Sequence, residues 1–191
     1  MRFVFHLLLM IAIALGLGFW LSWYALTDGR MFGTVQSGPW TAWPDVGSPT
    51  PNPYTRAHLT REAALQLGAS EGLEFVATTD SDGQPLDLAC TYRLDGHVPV
   101  STFWTLVAVD AEWRNLAAPG TDAALRSSDV IRANDGSMRV EVGRFLAPYS
   151  WLELSGSGTF SLVLTLYDST ALTGLSSGTP VMPSITRGAC A

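Results

Sequence analysis

The feature that most constrains this chain is its beginning. From Phe3 to Leu26 there is no charged residue apart from the titratable His6, and Leu7 to Leu17 contains only Leu, Ile, Ala, Met10 and Gly16. At 1.5 Å per residue a helix of this length crosses a hydrocarbon core of about 30 Å. Trp20, Trp23 and Tyr24 crowd its C-terminal end, where amphipathic rings favour the headgroup region. A cleaved signal peptide has an apolar core of about 7 to 15 residues followed by small residues. Here the bulky Phe19-Trp20-Leu21-Ser22-Trp23-Tyr24 occupies that place, so a retained single-pass helix is expected, spanning the bilayer through residues 3–26. No cysteine lies near enough for a lipoprotein anchor. Arg2 and the α-amine on one side, against Asp28 and Arg30 on the other, favour a cytoplasmic N-terminus and a periplasmic domain behind a bacterial inner membrane. Gly16 and Gly18 thin the helix and offer a packing strip to a neighbouring helix, although their spacing is i, i+2 and not the i, i+4 of close-packed pairs. Ordinary membrane-helix glycines would look the same.

Composition narrows what the rest can do. After the anchor, roughly 165 residues remain, enough for one domain with a sizeable core. Seventeen acidic and eleven basic residues give a net charge of -6, and no basic run exists to track phosphates, so nucleic acid is not an expected partner. All eleven basic residues are arginine. Without lysine there is no Schiff-base chemistry and no phosphate-loop lysine, although a GC-rich genome gives the same bias.

The two cysteines bear on the compartment. Cys90 sits in an alternating stretch, Leu88 to Leu94, and Cys190 is the penultimate residue. In an exported domain such a pair points to a bridge. Closing a loop of about a hundred residues would stabilise the fold by roughly 4 to 5 kcal/mol in the chain-entropy model. The alternative is one buried and one exposed thiol. His6, His58 and His97 are scattered and no Cys-x-x-Cys spacing occurs, so no metal or other cofactor is expected.

Residues 27–52, with Pro39, Pro44, Pro49 and Pro51, read as an extended connector. Its Trp40 and Trp43 are too apolar to be left in water and should dock on the domain or on the membrane surface. The domain proper is expected over 53–191. It opens with a helix from Pro53 to Leu67, Pro53 suiting a first turn and Gly68 a stop. Thereafter the apolar period becomes two. Leu73, Phe75 and Ala77 alternate with Glu74, Val76 and Thr78, and Asp80-Ser81-Asp82-Gly83 supplies a turn into a returning strand from Leu88 to Leu94. Phe103 to Val109 is apolar on both faces, as in a central strand. Met138 to Val142 alternates with one wet face after the Asn134-Asp135-Gly136 turn, and Phe160 to Tyr167 gives the cleanest alternation. With short runs near Val130 and from Trp151 to Leu154, six or seven strands result. A mainly β, antiparallel sandwich or jelly-roll-like domain with one short helix is therefore expected. Thr170 to Arg187 reads as loop.

Candidate chemistry is thin. The Asp80 turn resembles the middle of a calcium loop, but its twelfth position, counted from Asp80, is Thr91 rather than a carboxylate. Gly174-Leu175-Ser176-Ser177-Gly178 has the letters of a nucleophile elbow, yet Pro180 and Pro183 deny it the following helix and no histidine follows it. Ser155-Gly156-Ser157-Gly158 reads as a hairpin connection. Asp110 and Glu112 beside Trp113 form a conceivable glycosidase pair, or simply a polar strand end. Arg56 and His58 would make a small-molecule enzyme only if both point into one pocket.

With Tyr54-Thr55-Arg56-Ala57-His58, Gly72-Leu73, Cys90-Thr91-Tyr92, Phe103-Trp104-Thr105-Leu106 and Leu164-Thr165-Leu166-Tyr167-Asp168 in this order, the chain from about Pro53 onward resembles the domain-of-unknown-function family numbered 1214. The resemblance implies a β-rich, jelly-roll-like domain. It also implies a frequent association with a second family of unknown function, numbered 1254, fused or encoded alongside. It supplies no catalytic residue. Longer members carry an Asn-Pro-rich C-terminal motif from which Ser169 to Pro183 departs. Without a recognisable catalytic site, the expected function is that of a membrane-anchored accessory subunit that binds another envelope or inner-membrane protein. The alternative is a carbohydrate-binding or carbohydrate-processing domain using Trp40, Trp43, Trp113 and Trp151.

Overall fold

The structure, a computed structural model, describes residues 2–28, 33–62, 67–68, 71–169 and 180–190. Helix α1 runs over Arg2–Asp28. A hairpin follows, β1 (Val35–Ser37) and β2 (Trp40–Ala42), whose two-residue turn places Gly38 at φ 57°. The segment expected to be a connector therefore contributes two strands. Next come α2 (Pro53–Glu62), β3 (Gly72–Ala77), β4 (Cys90–Gly96) and β5 (Ser101–Val109). The remaining strands are β6 (Leu125–Arg126), β7 (Met138–Gly143), β8 (Ser150–Glu153), β9 (Ser161–Ser169) and β10 (Ser184–Cys190).

Two sheets result, a large one in the order β1-β2-β3-β9-β5-β6 and a small one in the order β10-β4-β7-β8. All ladders are antiparallel except that between β7 and β8. The inward set of each strand is the one that alternation gives. Trp40, Phe75, Trp104, Leu106, Leu162, Leu164 and Leu166 of the large sheet meet Tyr92, Leu94, Val140, Val142, Leu152 and Ile185 of the small one in a single core, each at most 3% exposed. This is a mainly β sandwich with one short helix and an N-terminal apolar helix.

Four local expectations are corrected. The Asp80 turn does not fold β4 back onto β3; it carries the chain from the large sheet to the small one, where β4 pairs with β7 and β10. Ser155-Gly156-Ser157-Gly158 likewise crosses between sheets, from β8 to β9, with Gly156 and Gly158 at positive φ. The stretch expected to be loop up to Arg187 contains β10, an edge strand whose one buried residue is Ile185. Near Val130 the strand pairing lies instead at Leu125–Arg126, with a lone bridge between Arg132 and Met138. The helix after Pro53 is described as far as Glu62, and Leu67 lies outside it. Asn52 caps its start, its Oδ1 accepting the N–H groups of Tyr54 and Thr55 at 3.0 and 2.9 Å. Asp45 holds Asn52 in turn through Oδ2.

Candidate functional site

Three features stand out, and the first is α1. Its span Arg2–Tyr24 has a mean hydropathy of 2.3 and none of it is buried against the rest of the chain, so by length and composition it is a candidate membrane anchor. A Cβ built on Gly16 or Gly18 would meet nothing within 4 Å. Both therefore lie on open helix surface, available to lipid or to another helix.

The second is the clasp on β10. Cys90 and Cys190 are bonded, joining the start of β4 to the end of β10 across a sequence separation of 100. Gly188 sits where the ladder shifts register between Arg187 and Cys190, and a Cβ there would come within 2.6 Å of Thr91 Oγ1. One residue before it, Arg187 donates through Nε to Asp80 Oδ2 at 2.9 Å and lies over the Tyr92 ring at 5.6 Å. Asp80, only 2% exposed, also accepts the N–H groups of Asp82 and Gln84. Its carboxylate is thus spent on bracing the turn and pairing with the C-terminal strand.

The third is the outward face of the large sheet, which is not wet. Val76, Val163, Thr165 and Val109 are 3–8% exposed although they point away from the core. Trp43 and Val107 pack against the three valines. At the other end, Leu67 Cδ1 lies 3.4 Å from the position of a Cβ on Gly72. The chain thus leaves the sheet at Trp43 and returns at Leu67, on the same face, with α2 between them. Registers Glu74↔Thr165, Thr165↔Thr105 and Thr105↔Arg126 set one polar row across four strands. Burial holds the Glu74 carboxyl above its ordinary range, and neither a hydrogen bond nor a charge acts against that. Beside the row, Phe103 and Tyr167 put their ring centroids 5.8 Å apart.

Other sequence candidates are not brought together. Asp110 is tied up by Arg114, whose backbone N–H and guanidinium bond its carboxylate and hold it below the usual range. Glu112 pairs with the same Arg114 at 3.1 Å. Of the four tryptophans, Trp40 is fully buried and donates to Pro183 O, Trp43 packs on the valines, Trp113 is 37% exposed in the Asp110 turn, and Trp151 donates to Gly143 O. They are dispersed over the molecule. An open groove of about 310 Å³, lined by Thr78, Thr79, Pro85, Ala111, Thr159, Phe160 and Ser161, contains none of them. Arg56 is exposed, while the His58 side chain and Gly174 to Gly178 lie outside the described residues. Among the described residues no group of three or more His, Cys, Asp or Glu could hold a metal ion. Sequence reasoning missed Glu74 as a site residue. The available signal was a lone acid in the outward set of a strand whose neighbour in that set is Val76.

A two-sheet sandwich closed by a disulfide and preceded by an apolar helix defines the class. The chain belongs to the family described as "Protein of unknown function (DUF1214)", whose pattern matches residues 71–171. No curated protein matches it. Among solved structures, the VPA0106 protein from Vibrio parahaemolyticus is similar over 71% of this chain and 35% of its own, at 18% identity and a TM-score of 0.58. An uncharacterized protein from Burkholderia cenocepacia is similar over 86% of this chain and 39% of its own, at 14% identity and a TM-score of 0.49. The first likeness supports the fold alone. The chain spans little more than a third of the length of either.

Proposed function

We propose that this chain is a single-pass subunit of the bacterial inner membrane, its N-terminus cytoplasmic and its sandwich periplasmic, serving as a binding body for another envelope or inner-membrane protein. A member of the family numbered 1254 is the first candidate partner. The observation that carries the reading is α1, whose apolar span Arg2–Tyr24 is exposed along its whole length in its own fold. A surface of that kind needs lipid, other helices or both. Two facts support it. The Cys90–Cys190 bond suits an oxidising compartment. In the Vibrio parahaemolyticus protein, the region like this one is part of a chain nearly three times as long as the match, so a domain of this shape is found joined to further polypeptide.

Extraction from native membranes in mild detergent tests the assembly. A stable, stoichiometric companion protein is the expected result, and a lone monomer at every concentration would sink the idea. Protease added to intact spheroplasts should digest the sandwich and spare the N-terminus; the reverse pattern would overturn the orientation.

A further inference from the structure

One end of the sandwich is tethered to α1, and the ladders identify it. After α1 the chain enters the large sheet at Val35, which pairs with Ala42 at the end of β2. From Ala42 the register passes to Phe75 near the start of β3, and Gly72 at that start pairs with Tyr167 and so lies in line with Phe103. Only residues 97–100 separate β5 from β4, so Gly96 and its partner Met138 lie at this same end of the small sheet. β8 runs parallel to β7 with Ser150 beside Val140, and it too starts here. The seven steps of chain from Asp28 to Val35 reach at most about 24 Å, whereas the nine residues of β5 set the opposite end about 30 Å farther off. The tethered end is therefore the one held close to α1.

This end is also where the fold leaves large apolar side chains in water. Val100, Ile131, Tyr149 and Val181 are exposed there, and Ile131 is set next to Tyr149 because its N–H donates to Ser150 Oγ at 2.9 Å. The crossover of residues 144–149 returns the chain from the end of β7 to the start of β8, and it adds Phe145 at 65% exposure and Leu146 at 84%. Arg139 lies over the Tyr149 ring at 5.1 Å. Arg132 and Arg144 are exposed, and neither has an ion pair among the described residues. Asp135, on the same hairpin as Arg132, turns its carboxylate back onto Ser137. The opposite end differs: its turns carry Asp82, Asp87, Asp110 and Glu112, and its exposed large apolar side chain is Trp113. Exposed apolar clusters mark binding surfaces, and the mixture of groups selects the occupant. Aliphatic and phenyl side chains enter acyl chains, a tyrosine ring sits at headgroup level, and guanidinium groups bind phosphate. We propose that the crossover of residues 144–149, with Ile131 and Arg132 beside it, docks on the surface of the bilayer that α1 crosses. Phe145 and Leu146 enter the acyl boundary, and Arg132 and Arg144 bind the phosphates of anionic lipids. The proposal rests on the reading of α1 as a membrane anchor.

The test places the full chain in nanodiscs of phosphatidylethanolamine and phosphatidylglycerol, with a nitroxide on one new cysteine and the Cys90–Cys190 bond intact. The labelled sites are Leu15→Cys in α1, Leu146→Cys in the crossover and Gln84→Cys at the opposite end. All three positions are exposed, so the label leaves the core alone. Power saturation compares access to oxygen, which is enriched among acyl chains, with access to a water-soluble nickel chelate. Labels at 15 and 146 should each show a severalfold higher ratio of oxygen to nickel access than the label at 84. A label at 146 as wet as that at 84, beside a shielded one at 15, would overturn the docking, leave the anchor standing and pass the patch to a protein partner. A wet label at 15 would sink the anchor and the docking with it. Arg132→Gln combined with Arg144→Gln, or phosphatidylcholine in place of the anionic lipid, should each raise nickel access at 146 severalfold. No change in either would overturn the role given to the arginines.

Discussion

The two sheets present outer faces built by the same alternation and opposite in character. On the small sheet, Arg93 faces Glu141 and Asp95 faces Arg139 across the β4–β7 ladder, each pair at 2.8 Å, in a checkerboard of charges whose two arginines are about half exposed. On the large sheet the corresponding face has Val76, Val163 and Thr165 almost closed to solvent and a half-buried acid, Glu74, with no hydrogen bond or ion pair among the described residues. The difference lies in what passes overhead. Trp43 and Leu67 bring the chain back onto the large sheet, whereas the small sheet pairs its charges with one another in water. One face is thus solvated and self-complementary, and the other is desolvated and incomplete.

The sheets also differ in how their strands are kept in place. β9 sits between β3 and β5 with long ladders on both sides, but β10 is an edge strand with one buried side chain. Beyond its ladder with β4 and the Ser81 hydrogen bonds to Ile185, it is held by the disulfide and by Arg187. Replacing both Cys90 and Cys190 by alanine should therefore have the largest effect, a loss of about 4 to 5 kcal/mol for a loop of this length, read by chemical denaturation. Amide exchange sharpens the contrast: β10 and β4 should lose protection first while β9 keeps it. Uniform loss across both sheets would show that the small sheet has no separate weakness.

A smaller effect probes whether the large sheet's outer face is truly dry. Val163→Thr is nearly isosteric but adds a hydroxyl at a position 3% exposed, and should cost about 1 to 3 kcal/mol. A thermal melt unchanged within error would mean that water reaches the face. At Glu74 the sign reverses. Its carboxyl titrates higher in the folded chain than in the unfolded one, so the folded state binds more protons and stability falls as pH rises from the unfolded value through the folded one. Glu74→Gln removes that penalty. The variant should melt higher than the parent near neutral pH, and its advantage should vanish below about pH 4, where the acid is protonated in both states.

The inward set of every long strand was readable from alternation, because period two and burial are the same information when one face meets a core. Phe103 to Val109 even announced that its second face is covered. What covers it was not readable. Trp43 and Leu67 reach the sheet from segments without a period of their own, and Gly38-Pro39 disguised the β1–β2 hairpin as connector. Sheet membership was hidden too: the Asp80 turn has hairpin chemistry, but its carboxylate is claimed by Arg187, a residue 107 positions away. For the same reason β10, with Ser184, Thr186 and Arg187 around Ile185, carried no strand signal. Glu74 looked like any wet-face acid until the cover above it was known.

The charge checkerboard should respond least. Arg93 keeps half of its side chain exposed and Arg139 nearly half, so solvent screens both pairs and side-chain entropy opposes them. In a double-mutant cycle, Arg93→Ala with Glu141→Ala should show a small favourable coupling at low ionic strength that fades in about 0.5 M salt, where the screening length is only a few ångströms. A coupling that survives salt would mean that the Arg93 pair is shielded from water, as a partner seated on the small sheet would shield it. Repeated on material purified with the companion protein proposed above, the same cycle would report whether that companion uses this face. A coupling raised by the companion places it on the checkerboard, and one left unchanged leaves the small sheet's outer face to solvent.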